Sequence, residues 1–319
     1  MYTAEELKLL VEKAHSDSGA TFSSSQEMQT MMLRQATSGD RAWYKIQQSP
    51  FAFSSKDADS DPIYIGFEWE TRYVDAHTSL IKSAMQKDLG WILNFRSDSN
   101  ATEIVSIPAT LAFHKEFLEQ QFFGAELQKH IVPREGYTGC GVHVHISKKA
   151  FTEETLRKFT TFIINPVNNS FIDAIAERPM YEGVSWRSPN RGKLLYHTTG
   201  HLRGRLLGAE MHFDAKLRQV SPSDRNSVIV DKHHAVNSGT GYGTVELRIF
   251  NSATDQDNLF KCLEFADALT RFVRVANYGE LYAFNFALFI AKNKKQYPVL
   301  FQRPEIQALL PAYKKIKRA

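Results

Sequence analysis

Ile63–Val74 reads IYIGFEWETRYV, and its alternation decides the fold. β-Branched and aromatic residues recur through it, which predicts a strand, and side chains two apart on a strand share a face. Glu68 and Glu70 therefore lie on one face, with Phe67 and Trp69 on the other. Gly139–Ser147 (GCGVHVHIS) repeats the pattern, with His143 and His145 opposite Val142, Val144 and Ile146. In Gly243–Phe250 (GTVELRIF), Glu246 and Arg248 lie opposite Val245, Leu247 and Ile249. A face turned to water would account for any one of these pairs. Solvated strand faces, however, usually mix Thr, Ser, Lys and Arg, whereas these three carry only Glu, His and Arg. If the sheet is curved, the six side chains converge in its concavity. Carboxylates with a minority of imidazoles suit Mg²⁺ or Mn²⁺ better than Zn²⁺, and the planar fork of an arginine suits a phosphoryl group. Together they are the equipment of nucleotide-dependent phosphoryl transfer.

Working outward, Trp91–Pro108 (WILNFRSDSNATEIVSIP) reads as paired strands around a turn at Ser97–Asn100. Glu103, just before the apolar Ile104 and Val105, needs a partner that a metal ion would supply. Asp98 sits in the turn, where an Asx-turn is the plainer explanation. Leu111 to about Lys129 reads as a helix. Phe151–Ala176 is mostly helical, with Thr152 as its cap and Glu153 and Glu154 in its first turn. Glu177–Thr199 is a long loop holding Arg187 and Arg191, either a lid or acceptor site or a solvated connector. Strands follow at Ser227–Asn237 and Gly243–Phe250, joined by the glycine-rich SGTGYG, and a long helix begins near Thr254. The pattern is α+β: a curved, mainly antiparallel sheet, helices on its outer face and a site on its concave face. Residues 1–60 form a helical N-terminal arm, 61–280 the catalytic domain, and 281–319 a helical, basic tail packed on that domain.

Bulk properties narrow the class. The net charge of +4 is mild for 319 residues, so nucleic-acid binding is permitted but not demanded. Cys140 and Cys262 are the only cysteines, which excludes a disulfide framework and fits a reducing compartment. No signal peptide or membrane span is read, and Leu281–Ala291 is too short for one. The expectation is a cytoplasmic protein with no membrane partner.

GFEWE, DSNATEIVSIP, CGVHVHIS and TVELRIF, in that order along one chain, resemble the amidoligase family. That family lies within the glutamate–cysteine ligase and glutamine synthetase superfamily of carboxylate–amine ligases. The resemblance runs over about Ile63–Val273. It implies ATP as co-substrate, two or more Mg²⁺ or Mn²⁺ ions, and an amide bond made through an acyl phosphate. It further implies that Glu68, His143 and Glu246 share one metal and that Glu70 and Glu103 hold a second. His145 is similar to a residue that contacts ATP phosphate, as Lys232 or Arg225 would from the preceding strand, and Arg248 to the arginine that steadies the transferring phosphoryl group. Asp98, Arg187 and Arg191 are candidates for substrate binding. The acid and the amine are not implied, and the acceptor is a small molecule, a peptide or a macromolecule. Two alternatives stand beside this reading: a phosphotransferase to an amine or guanidine, and a non-catalytic nucleotide-binding module.

Overall fold

The computed structural model describes residues 61–71, 93–98, 101–106, 108–119, 141–177, 235–238, 243–253 and 255–316. The chain divides into two compact units, Met1–Ser147 with Ser252–Leu263, and Lys148–Asn251 with Glu264–Ala319. The architecture is α+β, with an antiparallel sheet and helices. The expected N-terminal helical arm lies outside the described residues.

In the first unit, β1 (Ile65–Thr71) pairs antiparallel with β3 (Ala101–Ser106) on one side and β4 (Gly141–Ser147) on the other. Strand β2 (Leu93–Asp98) pairs with β3 as the expected hairpin, with Asp98 opposite Ala101. Ile65, Phe67 and Trp69 of β1 and Val142, Val144 and Ile146 of β4 are fully buried. Burying that apolar face fixes the register, because a one-residue slip would turn the glutamates and histidines into it. The end of β1 is tied down twice. The Trp69 indole N–H donates to the Ala253 carbonyl (3.1 Å), and the Ser252 hydroxyl donates to the Glu70 carbonyl (2.6 Å).

Helix α1 (Leu111–Phe117) is capped by Thr110, whose hydroxyl accepts from the Phe113 N–H. It places His114 with no exposure, its Nε2–H donating to the Ile65 carbonyl at 2.7 Å. The further reach of this helix towards Lys129 lies outside the described residues.

The second unit contains α2 (Glu153–Ile164), α3 (Asn169–Ala176), β5 (Val236–Asn237), β6 (Thr244–Asn251), α5 (Ala283–Lys292), α6 (Pro298–Gln302) and α7 (Pro304–Ile316). The 20-residue helix between β6 and α5, α4 (Gln256–Val275), begins in the first unit and ends in the second. Thr152 caps α2 as expected, in a reciprocal pair with Thr155. Gly243 precedes β6 at φ 69°, a left-handed conformation that suits glycine. Phe286 centres an aromatic core, with ring centroids 5.3 Å from Phe162, 5.4 Å from Phe265, 5.6 Å from Phe272 and 6.0 Å from Phe171.

Several polar groups buried in this unit have partners of their own. Asn168 donates to the carbonyls of Phe162 (3.0 Å) and Leu281 (2.9 Å) and accepts from the Ala283 N–H (2.9 Å). Glu264 accepts from the Leu300 N–H at 2.7 Å, and Asp267 from the Tyr297 hydroxyl at 2.8 Å. No helix among the described residues is long and apolar enough to cross a membrane.

Burial drives the His114 pKa from 6.5 down to about 4, against a smaller upward pull from its bond to Ile65. The folded chain thus keeps this ring neutral while the unfolded chain takes up a proton near pH 6.5. Its share of stability is intact above that pH, erodes as pH falls from 6.5 to 4, and is constant below. At about 1.4 kcal/mol per pH unit, the loss is about 3 kcal/mol. His114→Gln, which keeps a side-chain donor, is expected to remove that slope. Urea midpoints for both proteins at pH 7 and pH 4 measure it, and parallel losses in the two would refute it.

Candidate metal centre

Direct pairing places the candidate residues of the first unit on one face. Glu68 stands opposite His143, Gly66 opposite His145, and Glu70 opposite Glu103. Directly opposed residues project to the same side, so these five belong to one patch. The face does not open to water: Glu70 and His143 are buried, and the side chains of Glu68 and His145 are each only 13% exposed. A solvated strand face would not look like this.

The side chains form a chain of alternating acids and imidazoles. His143 Nδ1 lies 3.4 Å from Glu68 Oε2 and His143 Nε2 lies 3.9 Å from Glu70 Oε1. His145 Nε2 lies 3.3 Å from Glu68 Oε1. The second oxygen of Glu70 accepts from the Gly141 N–H at 2.7 Å. Sequence reasoning could not find that donor, because a backbone N–H carries no residue signal. Glu103 faces Arg96 in the β2–β3 register as well as Glu70.

Glu246 and Arg248 lie in the second unit, on β6. Glu246 is buried, stands opposite Asn237 of β5, and accepts a hydrogen bond from the Arg248 guanidinium. The arginine thus neutralises the acid beside it, which the strand pattern alone did not reveal. Asp98 closes the β2 end of the hairpin. Arg187, Arg191, Arg225 and Lys232 lie outside the described residues, as does the loop after Glu177.

The donor set of the first unit fits a divalent cation. It offers carboxylate oxygens and imidazole nitrogens on one face with little water, a combination suited to Mn²⁺, Mg²⁺ and neighbouring ions. No protein-family model matches the chain, and no curated protein does. The likeness to the amidoligases thus rests on the ordered motifs alone.

Burial by itself would raise the Glu68 pKa. The charge of His145, hydrogen bonds with His143 and His145, and the charge of His143 reverse this and hold the carboxyl well below its ordinary 4.5. A group depressed in the fold stabilises above its unfolded pKa, and that stabilisation is lost as pH falls below it. Glu68→Gln is therefore expected to flatten the loss of stability below about pH 4.5, a window that lies mostly below that of His114. Denaturant midpoints between pH 5 and pH 3 test this. An unchanged acid limb would refute the role given to the two histidines.

Proposed function

We propose that this chain is an ATP- and metal-dependent carboxylate–amine ligase of the amidoligase kind. The observation that carries the reading is the buried polar face of β1 and β4, where Glu68, Glu70, His143 and His145 meet. Acids and imidazoles held away from water are costly even when they partly answer one another, and clusters of this kind concentrate at sites that bind a ligand. The ordered motifs supply the rest. They add Glu246 and Glu103 to the metal-binding acids, and Arg248, Lys232 and Arg225 to the groups that meet phosphate. In this reading the sheet is curved, helices cover its outer side, the polar face lines the concave side, and the protein works in the cytoplasm.

The chain's own residues would act by position and charge. When bound, Mg²⁺ or Mn²⁺ neutralises charge between nucleotide and carboxylate. Arg248 offsets charge on the transferring phosphoryl group, an effect of about 3 kcal/mol for a positioned donor. A substrate carboxylate takes the γ-phosphoryl group of ATP, and an amine displaces phosphate from the acyl phosphate so formed. Exclusion of water protects that intermediate from hydrolysis.

Two measurements check the reading. Release of ADP and phosphate should require both a carboxylic acid and an amine; release with an amine alone would favour the phosphotransferase. Arg248→Gln should lower turnover about 100-fold or more, and Arg248→Lys less, since lysine can still pair with Glu246. Purified protein that binds neither Mg-ATP nor Mn-ATP in calorimetry would end the proposal.

A further inference from the structure

We propose that Glu177, Arg303 and Glu305 form a two-position latch: the Arg303 guanidinium holds Glu177 across the seam between α3 and α7 and, on release, passes to Glu305 on its own helix. The latch makes ordering of the last turn of α3 and of the first turn of α7 a single event. It lies wholly within the second unit, where α3 packs against α7, and involves none of the proposed ligands.

Glu177 closes α3 at φ 52° and ψ 30°, and among the described residues no other side chain but glycine's stands at positive φ. A Cβ makes that left-handed conformation costly, whereas glycine adopts it freely. The position has a second handicap. A carboxylate at the C-terminal end of a helix lies beside unpaired carbonyls and the negative end of the dipole. Glycine would end α3 without either cost, as it commonly does at this place in a helix. What glutamate supplies instead is an ion pair: the Arg303 guanidinium donates to Glu177 Oε1. Arg303 stands between α6 and α7, extended at φ −63° and ψ 134° as a residue before proline prefers. Its carbonyl accepts from the Ile306 and Gln307 N–H groups, both at 3.0 Å, and so opens α7. One side chain thus ties the exit of α3 to the start of α7.

The other side of the guanidinium is left open. Arg303 Nε lies 3.5 Å from Glu305 Oε2 without forming a hydrogen bond, and both atoms are shut off from solvent with no other partner. Buried donors and acceptors in that condition are uncommon, and each calls for a reason. Here a donor and an acceptor that suit one another stand just beyond bonding reach. Glu305 belongs to the first turn of α7, where the helix dipole favours its charge, so it offers Arg303 a second place to go. With Arg303 on Glu177, the seam is held, but Glu177 is left-handed and the Nε–H and Oε2 are unpaired. With Arg303 on Glu305, that pair closes and Glu177 is free to take the right-handed conformation. Each arrangement satisfies what the other leaves open, which is the condition for two states close in free energy.

Amide hydrogen exchange on the full chain tests the latch, read in the last turn of α3 and the first turn of α7. Glu177→Gln and Arg303→Gln should each speed exchange in both segments about threefold or more, and the double variant should add little to either, as for residues that act through one contact. An effect of Glu177→Gln confined to α3 would make it a helix end and nothing more. Glu305→Gln carries the decisive sign. It removes the partner that Arg303 takes up on release, so it should slow exchange in both segments about threefold. A fixed network of three charges requires the reverse, because Arg303 would lose support; unchanged or faster exchange would overturn the latch. The parent chain gives a check that needs no variant. Below the unfolding transition, the two segments should share one dependence of opening on urea, and two separate dependences would refute the proposal even if a variant failed to fold.

Discussion

The pairing of Glu68 with His143 across β1 and β4 is the constraint around which the first unit is organised. It puts a carboxylate and an imidazole opposite each other on a face with little access to water. A buried carboxylate is costly unless each oxygen is answered. Here one oxygen meets His143, the other meets His145, and the next acid along is held by Gly141. The opposite face makes the pairing unavoidable. Phe67, Trp69, Val142 and Val144 are fully buried there, so a slip in register would cost apolar burial and bury the charges without partners.

The second unit shows what buried acids look like when their task is structural. Glu264 and Asp267 of α4 lie within one turn of each other, and both are almost wholly buried. Their partners are the Leu300 N–H at the start of α6, the Tyr297 hydroxyl and the Arg271 side chain, the last at 3.1 Å from Asp267. Burial and Asp267 raise the Tyr297 pKa above its ordinary value, so the hydroxyl remains a donor. An amide N–H and a guanidinium can only donate, and the phenol donates here as well, so these acids are held by the protein's own groups. Such bonds hold the C-terminal helices in place, and they explain why the helical pattern of α4 tolerates charge on its buried side.

That contrast bears on how far the sequence alone could be read. Strands β1, β4 and β6 were legible because period-two alternation survives burial of both faces, and the β2–β3 hairpin because its turn residues stand between two apolar runs. The Thr152 cap was legible because a capping box is local. The break at Asn165–Asn168 was not, since Asn168 earns its place through Leu281 and Ala283, more than a hundred residues away. Membership of the buried polar face was legible from alternation, but the order of its members was not. Who faces whom depends on the register between strands, and that register sets His145 opposite Gly66 and so leaves its ring free to reach along to Glu68.

The choice of histidine is the remaining clue to purpose. If Glu68 and Glu70 needed only neutralising, arginine or lysine would do so permanently, as Arg248 does for Glu246 on β6. A guanidinium cannot give up its proton and has no lone pair to offer. An imidazole can surrender one and then present the other nitrogen as a ligand. Two histidines on one strand, interleaved with two glutamates on the next, thus answer the acids while keeping ring nitrogens that could serve a cation in the proposed function.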